Sequence, residues 1–256
     1  MTDLLAHLRE EVLLCDGAMG SRLQQADLDV DIDYWGQENC SEVLNLSRPD
    51  IVREIQQGFA AAGADILLTN TFGGSPITLS EFDLADRAHE INQRAAELAR
   101  EALEEFSRDG TRRYVLGDIG PGTKLPSLGQ VDYDELEAAL AVQAAGLLAG
   151  GVDGIMIETV QDIMQLKAAV NGARIAMAAA GREVPLITQV TVETTGTMLV
   201  GTDIAGAATV IHALGVEAMG LNCATGPREM AEHVRWLSEQ WPGIISIQPN
   251  AGLPEL

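Results

Sequence analysis

A chain of 256 residues can bury a sizeable core, and with 46% hydrophobic and 21% charged residues it has the composition of an ordinary globular protein. Its formal net charge of -22 repels phosphate backbones and anionic lipid, and no run is long enough to span a bilayer, so neither a nucleic-acid nor a membrane partner is expected. The N-terminal stretch MTDLLAHLREE is too charged for a secretory signal, and three widely spaced cysteines (Cys15, Cys40, Cys223) argue against a disulfide framework, so a reducing, cytoplasmic location is expected.

In chain order, seven short apolar runs alternate with longer amphipathic stretches. The runs are VLLCDG at 12–17, DILLTNTFGG at 65–74, YVLGDIGPG at 114–122, GIMIETVQD at 154–162, PLITQVTVE at 185–193, EAMGLNCATG at 217–226 and IISIQPNAG at 244–252. Each is nearly continuous rather than alternating, as expected of parallel strands buried on both faces. Between them, RPDIVREIQQGFAAAGA follows Ser47 as a candidate N-cap and stops at Gly63. LADRAHEINQRAAELAREALEEF carries repelling Glu97–Glu101 and Glu101–Glu105 pairs and an attractive Arg100–Glu104 pair at helical spacing. Four further helices are expected in DYDELEAALAVQAAGLLAGG, DIMQLKAAVNGARIAMAAAG, TDIAGAATVIHALG and PREMAEHVRWLSEQWPG. The connection from Ala18 to Asp50 is long enough to carry minor structure or function. The βαβα order fits an open sheet or a (β/α)8 barrel that stops one strand short.

Chemistry in parallel α/β folds sits at the carboxyl ends of strands. Those ends read Asp16-Gly17, Thr69-Asn70-Thr71-Phe72, Asp118 with Gly120-Pro121-Gly122, Glu158-Thr159, Gln189 with Thr191 and Glu193, Asn222-Cys223, and Gln248 with Asn250. One polar residue there is a turn former, but seven on one rim indicate a small-molecule site, because burying unpaired polar groups is costly. A nucleophilic Cys223 would need a base, yet His7, His89, His212 and His233 all fall in helical stretches. A zinc thiolate would need more ligands. Cys15 should point away from Asp16, and Cys40 lies in the long connection, so the residues alone leave the metal site incomplete. The glycine turn DGAMG matches no nucleotide fingerprint, but its amides suit a carboxylate.

Taken in order, LCDGAMGSRLQ, GADILLTNTFGGSPITL, LGDIGPGT, GVDGIMIETVQD, GLNCATGP and QPNAGLP resemble the homocysteine-binding domain of cobalamin-dependent methionine synthases, a branch of the homocysteine S-methyltransferase family. The resemblance runs from about Leu13 to the end. It implies that residues 1–256 form one homocysteine-binding domain, a TIM-type (β/α)8 barrel here lacking its eighth strand. It also implies a zinc ion held by three thiolates, of which Cys223 is one and the other two form a Cys-Cys pair on the eighth strand, absent from this sequence. By the same resemblance, Asp16, Gly17 and Glu158 hold the amino-acid end of homocysteine, Asn222 joins that site, and Asn250 faces the metal. The zinc-bound homocysteine thiolate would take a methyl group from methylcobalamin and give methionine. The cobalamin would be presented by a separate domain of a longer chain that also carries a methyltetrahydrofolate domain. No catalytic residue beyond the metal site is expected, and the chain alone is expected to be inactive. Two other readings are a cobalamin-independent methyltransferase using betaine or S-methylmethionine, and a non-catalytic fragment that binds a small amino acid.

Overall fold

The computed structural model describes residues 4–104, 106 and 111–251. Six of the seven apolar runs form strands: β1 (Ile66–Leu68), β2 (Tyr114–Ile119), β3 (Gly154–Val160), β4 (Leu186–Val190), β5 (Ala218–Asn222) and β6 (Ile244–Gln248). All pair in parallel and lie in chain order, β1-β2-β3-β4-β5-β6. Such an order never reverses, so there is no switch point and the sheet curls one way into part of a TIM-type barrel.

The two faces of the sheet hold separate cores. The outer one packs strand residues such as Val115, Ile155, Ile157 and Leu221 against helices, including Ala99, Leu140, Leu147 and Leu166. The inner one lines the barrel lumen with Ile66, Leu116, Met156, Ile187 and Ala218. A short helix, α1 (Leu4–Glu10), closes the lumen from below. Its Leu4 is fully buried in the inner core, and His7 Nδ1 lies 3.1 Å from the Tyr114 hydroxyl.

The first run, 12–17, is not a regular strand. It makes a single parallel bridge, Cys15 with Ile66. Side chains take over the ladder at its two ends: Asp65 accepts from the Leu14 N–H at 2.9 Å, and Asp16 accepts from the Leu68 N–H at 2.9 Å. Cys15 packs against the inner core, while the Asp16 carboxyl turns to the Leu68 amide.

The outer helices are α4 (Pro49–Ala61), α6 (Ala88–Glu104), α7 (Tyr133–Ala149), α8 (Ile163–Ala180), α9 (Ile204–Ala213) and α10 (Pro227–Gln240). Ser47 is not the N-cap of α4. It ends α3 (Leu44–Ser47), where its hydroxyl donates to the Val43 carbonyl, and Arg48 takes the cap position with no side-chain cap bond. Glycine stops appear as expected, with positive φ at Gly63, Gly151, Gly181 and Gly215. Arg100 does not pair with Glu104. It reaches across to the Gly151 carbonyl and to Asp153 at 2.7 Å. Glu97 and Glu101 are both bound by Arg94, which relieves their repulsion, while Glu105 lies outside the described residues. The long first connection carries minor structure, α2 (Met19–Leu23) and α3, while Cys40 and Val43 pack on Ala88 and Ile91 of α6. The short α5 (Pro76–Leu79) is capped by Ser75. Among the described residues no helix is long and apolar enough to cross a membrane.

Candidate active site

A cavity of about 1320 Å³ occupies the lumen and opens along the gap between the 12–17 segment and β6. Its upper wall gathers the strand ends: Asp16, Asp118, Glu158, Asn222, Cys223 and Gln248 all face it, with Gly17 and Asn250 at the rim. A side chain at position 17 would meet the Phe59 ring at 2.8 Å, so this turn needs glycine to lie against α4. The Gly17 and Ala18 amides donate to no acceptor among the described residues, leaving them open to an anion.

Glu158 faces the cavity in phase with Met156 of the inner core, and a bulge follows it. Ile157 aligns with Thr188 and Val160 with Val190, so β3 spends one extra residue at Glu158-Thr159. The extra residue places Thr159 at φ 56°, a strained value for a β-branched residue, with its hydroxyl beside Asn222 and Cys223. Cys223 and Ala224, at the end of β5, have φ of 55° and 49°. Asn222 ties the two strand ends together. It is buried, accepts from the Thr159 N–H at 2.8 Å, and donates to the Glu158 carboxylate, to Thr159 Oγ1 at 2.7 Å and to Cys223 Sγ at 3.4 Å. Thr159 Oγ1 in turn lies 3.6 Å from Cys223 Sγ.

Among the described residues no basic side chain pairs with the carboxyls Asp16, Asp118 and Glu158 at the strand ends, although Arg9 lines the same cavity. Burial pushes the Asp16 carboxyl up to about 7 against the bond from the Leu68 amide, and the Glu158 charge adds to the rise. Burial also raises Glu158, and raises Asp118 well above the ordinary range, with Glu158 as the second cause. The Cys223 thiol is raised by burial, drawn down by the Thr159 hydroxyl and raised again by Glu158. Cys15 and Cys40 are pushed up to about 12, chiefly by burial, which makes them inert thiols near neutral pH.

Not every rim residue faces a ligand. Thr69 and Thr71 bond each other and the backbone of Asp118, Asn70 bonds the Ser41 carbonyl, and Gln189 bonds Ser246. Thr191 donates to the Asn222 carbonyl, and Glu193 sits in a turn closed by the Thr197 carbonyl. Asn250 is exposed, its N–H donating to Thr225, and Gly252 to Leu256 of the PNAGLP ending lie outside the described residues. Sequence reasoning missed three braces. Gln143 donates to the Thr71 and Asp118 carbonyls, Asn92 to the Gly74 carbonyl, and Glu42 accepts from the Gly73 N–H at 2.6 Å. Gln143 sits between Leu140 and Leu147 on the apolar stripe of α7, and that misplaced polar residue was the available signal. Glu42 had none.

The zinc site implied by the resemblance is not composed by the described residues. Among them no three His, Cys, Asp or Glu side chains come together in a way that could hold a metal ion. Cys223 offers one sulfur, with a hydroxyl and an amide beside it, while Cys40 belongs to a separate core.

Known proteins agree with this architecture. The chain is 50% identical over 255 residues to the methionine synthase of Mycobacterium tuberculosis (strain ATCC 25618 / H37Rv) and 49% identical to that of Mycobacterium leprae (strain TN). In both cases all of this chain is matched, but it spans only 21% of the relative's length. The metallated form of the homocysteine methyltransferase MmuM from Escherichia coli superposes with a TM-score of 0.81 at 20% identity, covering 97% of this chain and 87% of that one. Its oxidized form gives 0.81 at 19% identity, covering 99% and 87%. At that identity the likeness concerns the fold alone. The family profile described as Homocysteine S-methyltransferase matches residues 13–256, and the chain belongs to that methyltransferase family.

Proposed function

We propose that this chain is the homocysteine site of a methionine synthase. The whole protein would transfer a methyl group to the homocysteine sulfur, using zinc and methylcobalamin, with further domains of a longer chain carrying the cobalamin and methyltetrahydrofolate sites. The identity to methionine synthases, of which this chain spans 21%, supports the division of labour. The observation that carries the site assignment is the convergence of Asp16 and Glu158 at one end of the cavity, with the Cys223 sulfur joined to Glu158 through Asn222. An ammonium needs carboxylates, and Asp16 and Glu158 supply them. An α-carboxylate needs N–H donors, and the open amides of Gly17 and Ala18 supply them. That pose directs the substrate thiol toward Cys223. Cys223 is proposed as one zinc ligand, its partners coming from outside the described residues. Its three cysteines are free, in keeping with a cytoplasmic enzyme.

Two substitutions test the reading in the full-length protein. Glu158→Gln is expected to weaken homocysteine binding by roughly 10-fold or more, read by calorimetry; an unchanged affinity removes Glu158 from the site. Cys223→Ala is expected to abolish both bound zinc, read by elemental mass spectrometry, and turnover. Retention of metal and activity would sink the ligand assignment. The 256-residue chain itself is expected to be inactive and to retain little zinc after dialysis.

A further inference from the structure

Asp118 is a buried carboxyl that neither the fold nor the proposed ligand set explains. It ends β2, is 4% exposed, lines the cavity, and its Oδ1 finds no donor. Its backbone is held from three directions. The N–H donates to Thr69 Oγ1 at 2.9 Å, and the carbonyl accepts from Thr71 Oγ1 at 2.7 Å and from Gln143 Nε2 at 3.2 Å. So many restraints fix where the carboxyl points. Asp118 and Glu158 line the same cavity from the paired strands β2 and β3, and the Glu158 charge raises the buried Asp118 carboxyl.

Two ionised carboxylates repel, so a hydrogen bond between them requires one shared proton. The deeper member retains it. Asp118 is buried where Glu158 is only half-buried, and the charges of Glu158, Asp16 and Glu42 all push its carboxyl up. Glu158 also accepts from Asn222 and from the Thr159 hydroxyl at 3.4 Å. We propose that Asp118 is a positioning residue for substrate binding: it donates a carboxyl hydrogen bond to Glu158 and fixes that carboxylate toward the substrate ammonium. The pair then presents one negative charge to one positive charge, favouring α-amino thiols over thiols of the same length without the amino group. This inference rests on Glu158 as the ammonium ligand.

The test compares two ligands on the full-length protein by calorimetry, homocysteine and its deaminated analogue 4-mercaptobutanoic acid. Asp118→Ala removes the donor and is expected to weaken homocysteine by about 10- to 100-fold, with the analogue changed less than about threefold. Asp118→Asn restores a donor in the same place and should recover most of the lost affinity. If Asp118→Asn is as weak as Asp118→Ala, the negative charge of Asp118 matters and the donor assignment is overturned. If both ligands lose affinity equally, Asp118 is merely structural and the inference fails. Should Asp118→Ala not fold, Asp118→Asn against wild type still decides between donor and charge. A wild-type protein that binds both ligands alike overturns instead the ammonium reading of Glu158.

Discussion

Asp16 shows how a residue proposed to bind substrate can oppose the fold that holds it. Its carboxyl rises from an ordinary 3.8 to about 7 in the folded chain, chiefly through burial. Between those values the folded state binds more protons than the unfolded one, so this group makes stability fall as pH rises from about 4 to about 7. Above that window the carboxylate is ionised and buried without a cation. Asp16→Asn keeps an oxygen that can accept from the Leu68 N–H but removes the charge. It is expected to raise the melting temperature at pH 7.5, to leave it little changed near pH 4, and to weaken homocysteine binding. A melting temperature at pH 7.5 equal to wild type would show that the ionised group is not strained in the free protein. The same chemistry predicts that homocysteine binding near pH 6 releases protons, visible as a heat that depends on the buffer's ionisation enthalpy.

Across elements, the site is a join between the ends of β3 and β5, and the join runs through one amide. Asn222 satisfies the Thr159 N–H and donates to three neighbours on two strands. Asn222→Ala leaves a buried N–H and a buried carboxylate short of partners and is expected to destabilise the fold by about 1–3 kcal/mol in urea titrations. A smaller loss would mean that the bulge at Glu158-Thr159 holds itself. This bulge also marks the limit of what the sequence conveys. GIMIETVQD announces a buried strand with a terminal carboxylate, since continuous apolar runs report burial on both faces. Alternation from Met156 puts Glu158 on the lumen face, but nothing in a residue string reports the extra residue at Thr159 or the turn it makes toward Asn222 and Cys223. VLLCDG failed as a strand for a related reason. Asp16 and Asp65 replace backbone acceptors with side chains, and hydropathy cannot see that exchange. The rim residues were legible as a set because they share one end of seven segments, the 12–17 run and six strands. Their division into cavity-facing carboxylates and structural amides was not, because it depends on partners as distant as Gln143 and Thr71.

At the scale of the molecule, the described sheet has two free edges. β6 is half-exposed along its whole length, whereas β2, β4 and β5 are buried throughout. Facing it across the gap, Val12 is 90% exposed and Leu14 59% exposed. An open edge with apolar side chains is a template for pairing with another chain. Opposing this is the charge of -22, which keeps copies apart through a repulsion that salt screens within about 10 Å at 0.1 M. The balance makes a prediction specific to this edge. In sedimentation velocity runs on the 256-residue chain, raising salt from about 0.05 M to about 0.5 M should increase the self-associated fraction, because repulsion shortens in range while edge pairing and apolar contact do not. Val12→Lys places a charge where the edge is most exposed and should restore the monomer at high salt without changing the melting temperature. A variant that associates as readily as wild type would place the contact elsewhere on the molecule.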